Sequence, residues 1–130
     1  MTAGTSLASV ATVAWCLEVA DRFVDWWERL TEDERVSVDA MLRLLEYYGP
    51  GLREPYCVDL PEVAGIAVRR LRAAHDSGDF GIMLCVDQWR ARILLLSGGG
   101  WMETAAVSVD VVADIRAFVD EDAVRMERAS

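Results

Sequence analysis

Three apolar, β-rich runs, Ile66 to Ala74, Phe80 to Val86 and Arg92 to Ser97, follow one another, with His75-Asp76-Ser77-Gly78-Asp79 and Asp87-Gln88-Trp89 marking the connections. Connections of hairpin length leave consecutive strands one arrangement, an antiparallel meander, because a parallel crossover needs roughly a dozen residues or more. The rest of the chain must then cover that sheet. Alternation assigns the faces: Arg70 and Arg72 project from one side of the first strand, while Leu71 and Ala73 project from the other, toward the helices.

Ahead of the meander, Ala11 to Val19 is compact, apolar and β-branched and reads as a short first strand. A helix follows from Asp21. Phe23, Val24, Trp27 and Leu30 recur at helical spacing, Arg22, Asp25, Glu28 and Arg29 take the opposite side, and Trp26 falls off the stripe and is expected at the surface. Thr31-Glu32-Asp33-Glu34 has the form of a capping box, so a second helix starts there, with a buried stripe of Val38, Met41, Leu42, Leu45 and Tyr48. Gly49-Pro50 stops it, and the short turn between the helices predicts an antiparallel helical hairpin.

Pro50 to Gly65, punctuated by Pro55 and Pro61, reads as a connecting loop. After the meander, Gly98-Gly99-Gly100 breaks the last strand, and Val111, Val112, Ile115, Phe118 and Val119 mark a final helix capped by Asp110. The fold class is α+β: an N-terminal strand and helical hairpin packed on a small antiparallel sheet, closed by a C-terminal helix. One domain is expected over residues 1–130, with flexible ends at 1–12 and 122–130.

At 130 residues the chain buries roughly two-thirds of its unfolded surface, so its core needs no staples, and a hydrophobic content of 53% is too rich for a disordered chain. The three cysteines, Cys16, Cys57 and Cys85, are odd in number and lack paired spacing. They signal neither a disulfide framework nor a zinc site and read as buried thiols in a reducing cytosol, with no metal or other cofactor implied. Met1 to Thr12 places no positive residue ahead of an apolar run, and no later stretch is long and apolar enough to span a bilayer. The expected location is the cytoplasm, away from membranes.

The net charge is −9, from 22 acidic residues against 13 basic ones, all of them arginine. That balance counts against an extended, non-specific nucleic-acid surface. The arginines are nevertheless concentrated: Arg69, Arg70 and Arg72 on the first strand of the meander, Arg90 and Arg92 at or just before the third, while the acids gather in the helices and tail. The sheet thus reads as a positive open face on an acidic body, with forked donors suited to phosphate or carboxylate. The competing reading pairs these arginines with Asp76, Asp79, Asp87 or the helix carboxylates and leaves them no chemistry.

His75, the single histidine, sits at the mouth of the first hairpin and is the side chain able to move a proton near neutral pH. Trp26, Trp89 and Trp101 fit no buried stripe and are candidate anchors for a partner protein. Gly98-Gly99-Gly100 lacks the Lys-Ser/Thr of a phosphate-binding loop, and Asp120-Glu121-Asp122 lacks the spacing of a calcium loop.

Several strings, in order, carry a family likeness: Leu44-Leu45-Glu46-Tyr47-Tyr48-Gly49-Pro50 with Leu52 and Pro55, Val68-Arg69-Arg70-Leu71-Arg72, Phe80-Gly81-Ile82-Met83-Leu84-Cys85-Val86-Asp87, and Arg92-Ile93-Leu94-Leu95-Leu96-Ser97-Gly98. From about Trp15 to Val119 the chain resembles the RelE/HigB (RelE/ParE) superfamily of small bacterial and phage toxins, in particular its HigB-like, phage-derived branch common in actinobacteria. The resemblance implies a cytoplasmic toxin-antitoxin protein that is neutralised by an antitoxin and cleaves mRNA on the ribosome without a metal, using side chains of the open sheet face.

Position by position, Arg72 matches the arginine of the family's Glu-Leu-Arg motif, and Arg70 stands where that motif has glutamate. Gly81 falls where a Tyr-Arg-Ile motif supplies a second arginine, and Gly99 and Gly100 fall where a Gly-Asp-Lys motif supplies a lysine. Metal-free RNA cleavage needs a base, an acid and positive charge for the phosphorane, none of which glycine provides. Arg70, Arg72, Arg90 and Arg92 restore charge but stay protonated. The first expectation is therefore a toxin-superfamily protein with a depleted active site that binds a partner protein. The second is an active ribosome-dependent endoribonuclease using Arg72, Arg70 and His75 for catalysis and Arg69, Arg90 and Arg92 for phosphate. The third is an inhibitor that, like the ParE relatives, binds a protein such as DNA gyrase.

Overall fold

A five-stranded sheet in the order β1-β5-β4-β3-β2 forms the middle layer, with helices on both faces. The computed structural model describes residues 15–129; the expected flexible stretch 1–12 and the start of the strand expected from Ala11 lie outside them. The elements are β1 (Cys16–Val19), α1 (Asp21–Glu28), α2 (Glu32–Tyr48), β2 (Cys57–Val63), β3 (Ile66–Ala73), β4 (Phe80–Asp87), β5 (Arg92–Gly100) and α3 (Val109–Ala129). Among the described residues no helix is long and apolar enough to cross a membrane.

The meander forms as its hairpin-length connections require: β3, β4 and β5 pair antiparallel, with Arg72 opposite Gly81 and Gly81 opposite Gly99. Three features of the sheet differ from the sequence reading. The stretch expected as a loop contains β2, an edge strand antiparallel to β3, whose register shifts between Leu60 and Val63 around Pro61. Proline is admissible there because an edge strand or bulge leaves its missing donor unneeded. The sheet is also mixed rather than wholly antiparallel, since β1 runs parallel to β5 from Cys16↔Arg92 to Val19↔Leu95. Finally, β5 continues through Gly98, Gly99 and Gly100, the last opposite Phe80.

The α1–α2 layer packs Phe23, Trp26, Val38, Leu42 and Leu45 on the face that carries Leu71, Ile82, Leu84, Ile93 and Leu95. The opposite face, carrying Val68, Met83, Cys85, Leu94 and Leu96, takes Val111, Ile115 and Phe118 from α3. With both faces covered, β4 is apolar at nearly every position, which is why its sequence lacks the alternation of a half-exposed strand. Trp26 is buried at 7% exposure, against the expectation of a surface anchor. Its indole lies where Gly98 has no side chain: a Cβ there would stand 2.1 Å from Trp26 Cε3. Tyr48, placed on the buried stripe by its spacing, is instead 51% exposed, and Cys16 is exposed while Cys57 and Cys85 are buried.

The capping box at α2 is complete: the Glu34 N–H donates to Thr31 Oγ1 at 3.1 Å, and the Thr31 N–H donates to Glu34 Oε1 at 2.8 Å. At α3 the cap is Ser108, whose hydroxyl accepts from the Val111 N–H at 3.3 Å. Asp110, expected to cap, lies in the first turn and faces Arg22 at 3.6 Å, with Asp114 at 3.5 Å from the same guanidinium. The α3 backbone stays helical through Ala129, because the charged tail contains no breaker.

The Thr31 amide holds the Glu34 carboxyl below its ordinary value of 4.5. A carboxyl lowered on folding stabilises the fold above 4.5, and that contribution is lost as pH falls through the folded value. Glu34→Gln keeps a capping acceptor without the charge, so the Tm advantage of the natural chain over this variant is expected to be largest near neutrality. It should shrink below pH 4.5 in thermal melts followed across the acid range.

Candidate functional site

Arg70 and Arg72 leave β3 on the face that carries α3, at the end of the sheet where the segment after β5 turns back. That segment begins with Trp101 and is closed by a tight turn, in which the Thr104 N–H and hydroxyl donate to Gly100 O at 3.2 and 3.1 Å. The turn brings the Trp101 indole under both arginines. Arg70 Cζ lies 3.6 Å and Arg72 Cζ 4.5 Å from the ring centroid, and Arg70 Nη1 donates to Trp101 O at 2.7 Å. Arg72 Nε donates to Asp79 Oδ2 at 2.7 Å, and the Asp79 carbonyl accepts from the Trp101 N–H at 2.9 Å.

Two guanidiniums on one indole, tied to a single carboxylate, make a cationic-aromatic cluster at the surface. Desolvation, with the neighbouring Arg72 charge adding, pulls the Arg70 guanidinium below its ordinary value, although arginine remains a cation. Arg70 Nε is buried without an acceptor. Glu103 adds a second carboxylate nearby, accepting from the Gly100 N–H at 2.9 Å. The cluster can hold an anion by its guanidinium edges.

The space over the bare backbone of Gly81 is filled from elsewhere. Gly81 lies beneath the turn, and a Cβ on it would stand 2.0 Å from Thr104 Oγ1 and 3.3 Å from Trp101 Cε3. Thr104 is buried at 5% exposure. The bare backbone of Gly81 is thus what allows the segment to rest on the sheet.

The remaining candidates do not gather on this cluster. Arg69, expected on phosphate, is buried on the opposite face, with Nε 3.0 Å from Asp59 Oδ1 and Nη1 donating to Pro50 O at 2.8 Å and Leu52 O at 3.2 Å. Arg92 is likewise buried: it forms a forked pair with Glu18 and lies with Cζ 4.6 Å from the Phe118 ring. Both are corrections to the sequence reading, and the cause is the same, a carboxylate on an adjacent strand that alternation could not reveal. Arg90 and Trp89 are exposed in the β4–β5 turn, Trp89 at 95%, at the far end of the strands from Arg72.

His75 also sits apart from the arginines. Its Nε2 is 2.7 Å from Asp33 Oδ2 at the start of α2, its Nδ1 is 2.8 Å from Ser77 Oγ, and the ring packs 5.8 Å from Phe80. These contacts draw it toward the α1–α2 layer, on the side away from Arg70 and Arg72. Among the described residues no group of three His, Cys, Asp or Glu side chains could hold a metal ion. Asp79 is one of the carboxylates that the competing sequence reading paired with these arginines; the role of Thr104 was not anticipated, and the signal that pointed to it is the glycine at 81 within an otherwise bulky strand.

A mixed sheet with β1 parallel to the last strand of a meander, a helical pair on one face and a C-terminal helix on the other is a fold like that of the solved RelE toxins. In the solved archaeal RelE-RelB complex from Pyrococcus horikoshii OT3, the matching chain is 18% identical and superimposes with a TM-score of 0.56, over 72% of this chain and 100% of that one. A mutant of the E. coli toxin RelE in the free state is 16% identical with a TM-score of 0.52, over 71% of this chain and 88% of that one. No protein-family model matches the sequence, and no curated protein does.

If the turn seats on Gly81, a methyl group there must displace it. Gly81→Ala is expected to cost about 1–3 kcal/mol in chemical denaturation, as overpacking does. It should also shift the tryptophan emission as Trp101 leaves its arginines, whereas Gly51→Ala, where a Cβ would meet nothing within 4 Å, should leave the emission unchanged.

Proposed function

We propose that this chain is a toxin-superfamily protein of the HigB-like, phage-derived branch that acts in the cytoplasm by binding a protein partner and does not cleave mRNA. The observation that carries the proposal is the occupant of the sheet face at Gly81, where Thr104 and Trp101 fill the place that the resemblance assigns to a cationic side chain. The surviving pair supports anion or carboxylate binding rather than catalysis, because Arg72 is neutralised by Asp79 and Arg70 is committed to Trp101. RelE from Pyrococcus horikoshii is found with RelB, which supports a small antitoxin as the kind of partner to look for.

The nuclease alternative asks Arg70, Arg72 and His75 to act on one phosphodiester. The separation of His75 from the arginines, with both ring nitrogens engaged by Asp33 and Ser77, weighs against it.

Incubation of the purified chain with translating ribosomes and mRNA is expected to leave the message intact, by primer extension, over times in which an active ribosome-dependent nuclease cuts to completion. The proposal is overturned if cleavage occurs and Arg72→Ala or His75→Ala abolishes it.

A further inference from the structure

The two edges of the sheet are treated differently. β2 closes one edge with Pro61, an exposed Glu62 and a shift in register, the usual devices against unwanted strand pairing. β1, the other edge, is only four residues long and carries Glu18, but it has neither a proline nor a shift in register. The N–H groups of Cys16 and Ala20 donate inward to Ala91 O at 2.8 Å and Leu95 O at 2.9 Å, so by alternation the N–H and C=O groups of Leu17 and Val19 point away from the sheet. The Trp15 N–H is taken by Glu46 O at 3.0 Å, which bounds the open stretch at its start. Val19 is 51% exposed.

The edge is flanked by two grooves of opposite chemistry, one for each side to which strand residues alternate. On the α1–α2 side, a groove of about 370 Å3 is walled by Leu17, Phe23, Val24, Trp27 and Leu42. On the α3 side, a groove of about 420 Å3 is walled by Glu18, Asp21 and Asp114, with Arg22 and Phe118. Arg22 faces Asp114 and Arg92 pairs with Glu18 from the core side, while Asp21 has no ion pair among the described residues.

We infer that β1 is a docking edge for an extended segment of a partner protein whose side chains alternate between apolar and basic. Backbone pairing to Leu17 and Val19 supplies the register, the apolar side chains enter the groove over Trp27, and the basic ones meet Asp21 and its neighbours. The charge of the chain, −9, favours such a partner at long range. Other occupants fit poorly. A second copy pairing through β1 brings another Glu18 to carboxylates, and residues 1–14 of the chain itself contain no basic residue. This inference rests on the reading of the chain as a partner-binding protein and adds the surface and the chemistry of the partner.

The test uses the full chain and three synthetic octapeptides: alternating arginine and valine, alternating glutamate and valine, and four arginines followed by four valines. The alternating arginine peptide is expected to bind about tenfold or more tightly than the other two by fluorescence anisotropy, and to shift the Leu17 and Val19 amide signals in NMR spectra. Methylating alternate amide nitrogens of that peptide, which leaves the protein untouched, should weaken it by a similar factor, as should Asp21→Lys. Equal binding of the blocked peptide, signal changes centred on Trp101 instead of β1, or no binding of any peptide overturns the inference. Arg70, Arg72 and His75, the residues of the nuclease reading, lie outside β1, so an intact docking edge on a chain that cuts mRNA sinks the proposed function alone, and an uncut message with no peptide docking sinks this inference alone.

Discussion

Contact between a bulky side chain and bare backbone at the tip of the β4–β5 pair organises the molecule on both faces of the sheet. Trp26 enters the space left by Gly98 and so fixes how closely α1 approaches one face. Thr104 enters the space left by Gly81 and so fixes the segment that carries Trp101 to the other. Interiors pack at crystal-like density, so such contacts are stiff: neither side chain has an alternative seat once its glycine is filled. The position of Trp101 then dictates where Arg70 and Arg72 can lie, because both guanidiniums rest on its ring. Site geometry is in this sense a consequence of backbone left uncovered.

The same economy runs through the electrostatics. In a chain with 22 acidic and 13 basic residues the cations are scarce, yet several are used within the fold. Arg92 pairs with Glu18 between β5 and β1, Arg69 with Asp59 between β3 and β2, and Arg22 with Asp110 and Asp114 between α1 and α3. One of these, Arg92 with Glu18, joins strands that are neighbours only in the folded sheet, and Arg69 and Arg92 are nearly out of solvent. Pairs of that kind repay little of their desolvation cost in net stability, but breaking one leaves a buried charge uncompensated, which penalises other strand registers. Their placement at the two outermost strand junctions suits a role in holding β1 and β2 to a register that short edge strands specify weakly on their own.

Local signals were legible in the sequence, and contacts between distant segments were not. The meander, the capping box at Thr31 and the spacing of Val38, Leu42 and Leu45 each depend on residues a few positions apart, and each is present in the structure. β2 was missed because Pro55 and Pro61 imitate a loop; only its place at an edge makes Pro61 tolerable. Trp26 was misplaced because helical spacing marks a stripe but does not reveal that a glycine across the interface widens it. The parallel pairing of β1 was invisible for the same reason, since β1 and β5 are more than 70 residues apart, as the Glu18–Arg92 pair with its separation of 74 shows. The site residues divide likewise: Arg70 and Arg72 were found by alternation, whereas the carboxylates that occupy Arg69 and Arg92 come from other strands.

Fold and chemistry separate cleanly at one backbone position. The likeness to RelE structures is a likeness of sheet order and helix placement, at identities of 18% and 16%, and it leaves the reacting groups undetermined. What the cluster can do follows from its own atoms: two permanent cations, one indole and one carboxylate in contact. Charge alone can bind a phosphate or a carboxylate, and it can steady a transition state, but transfer of a proton from a hydroxyl needs a group whose pKa lies near that of the medium. The His75 imidazole is held toward α2 by Asp33, on the other side of the sheet from the arginines. A cation at residue 81 would therefore change more than the local charge. A side chain there would evict Thr104, the turn that supports Trp101 would move with it, and the guanidiniums would lose the surface that aligns them. The contact that packs this end of the sheet is the same one that decides where its positive charge lies.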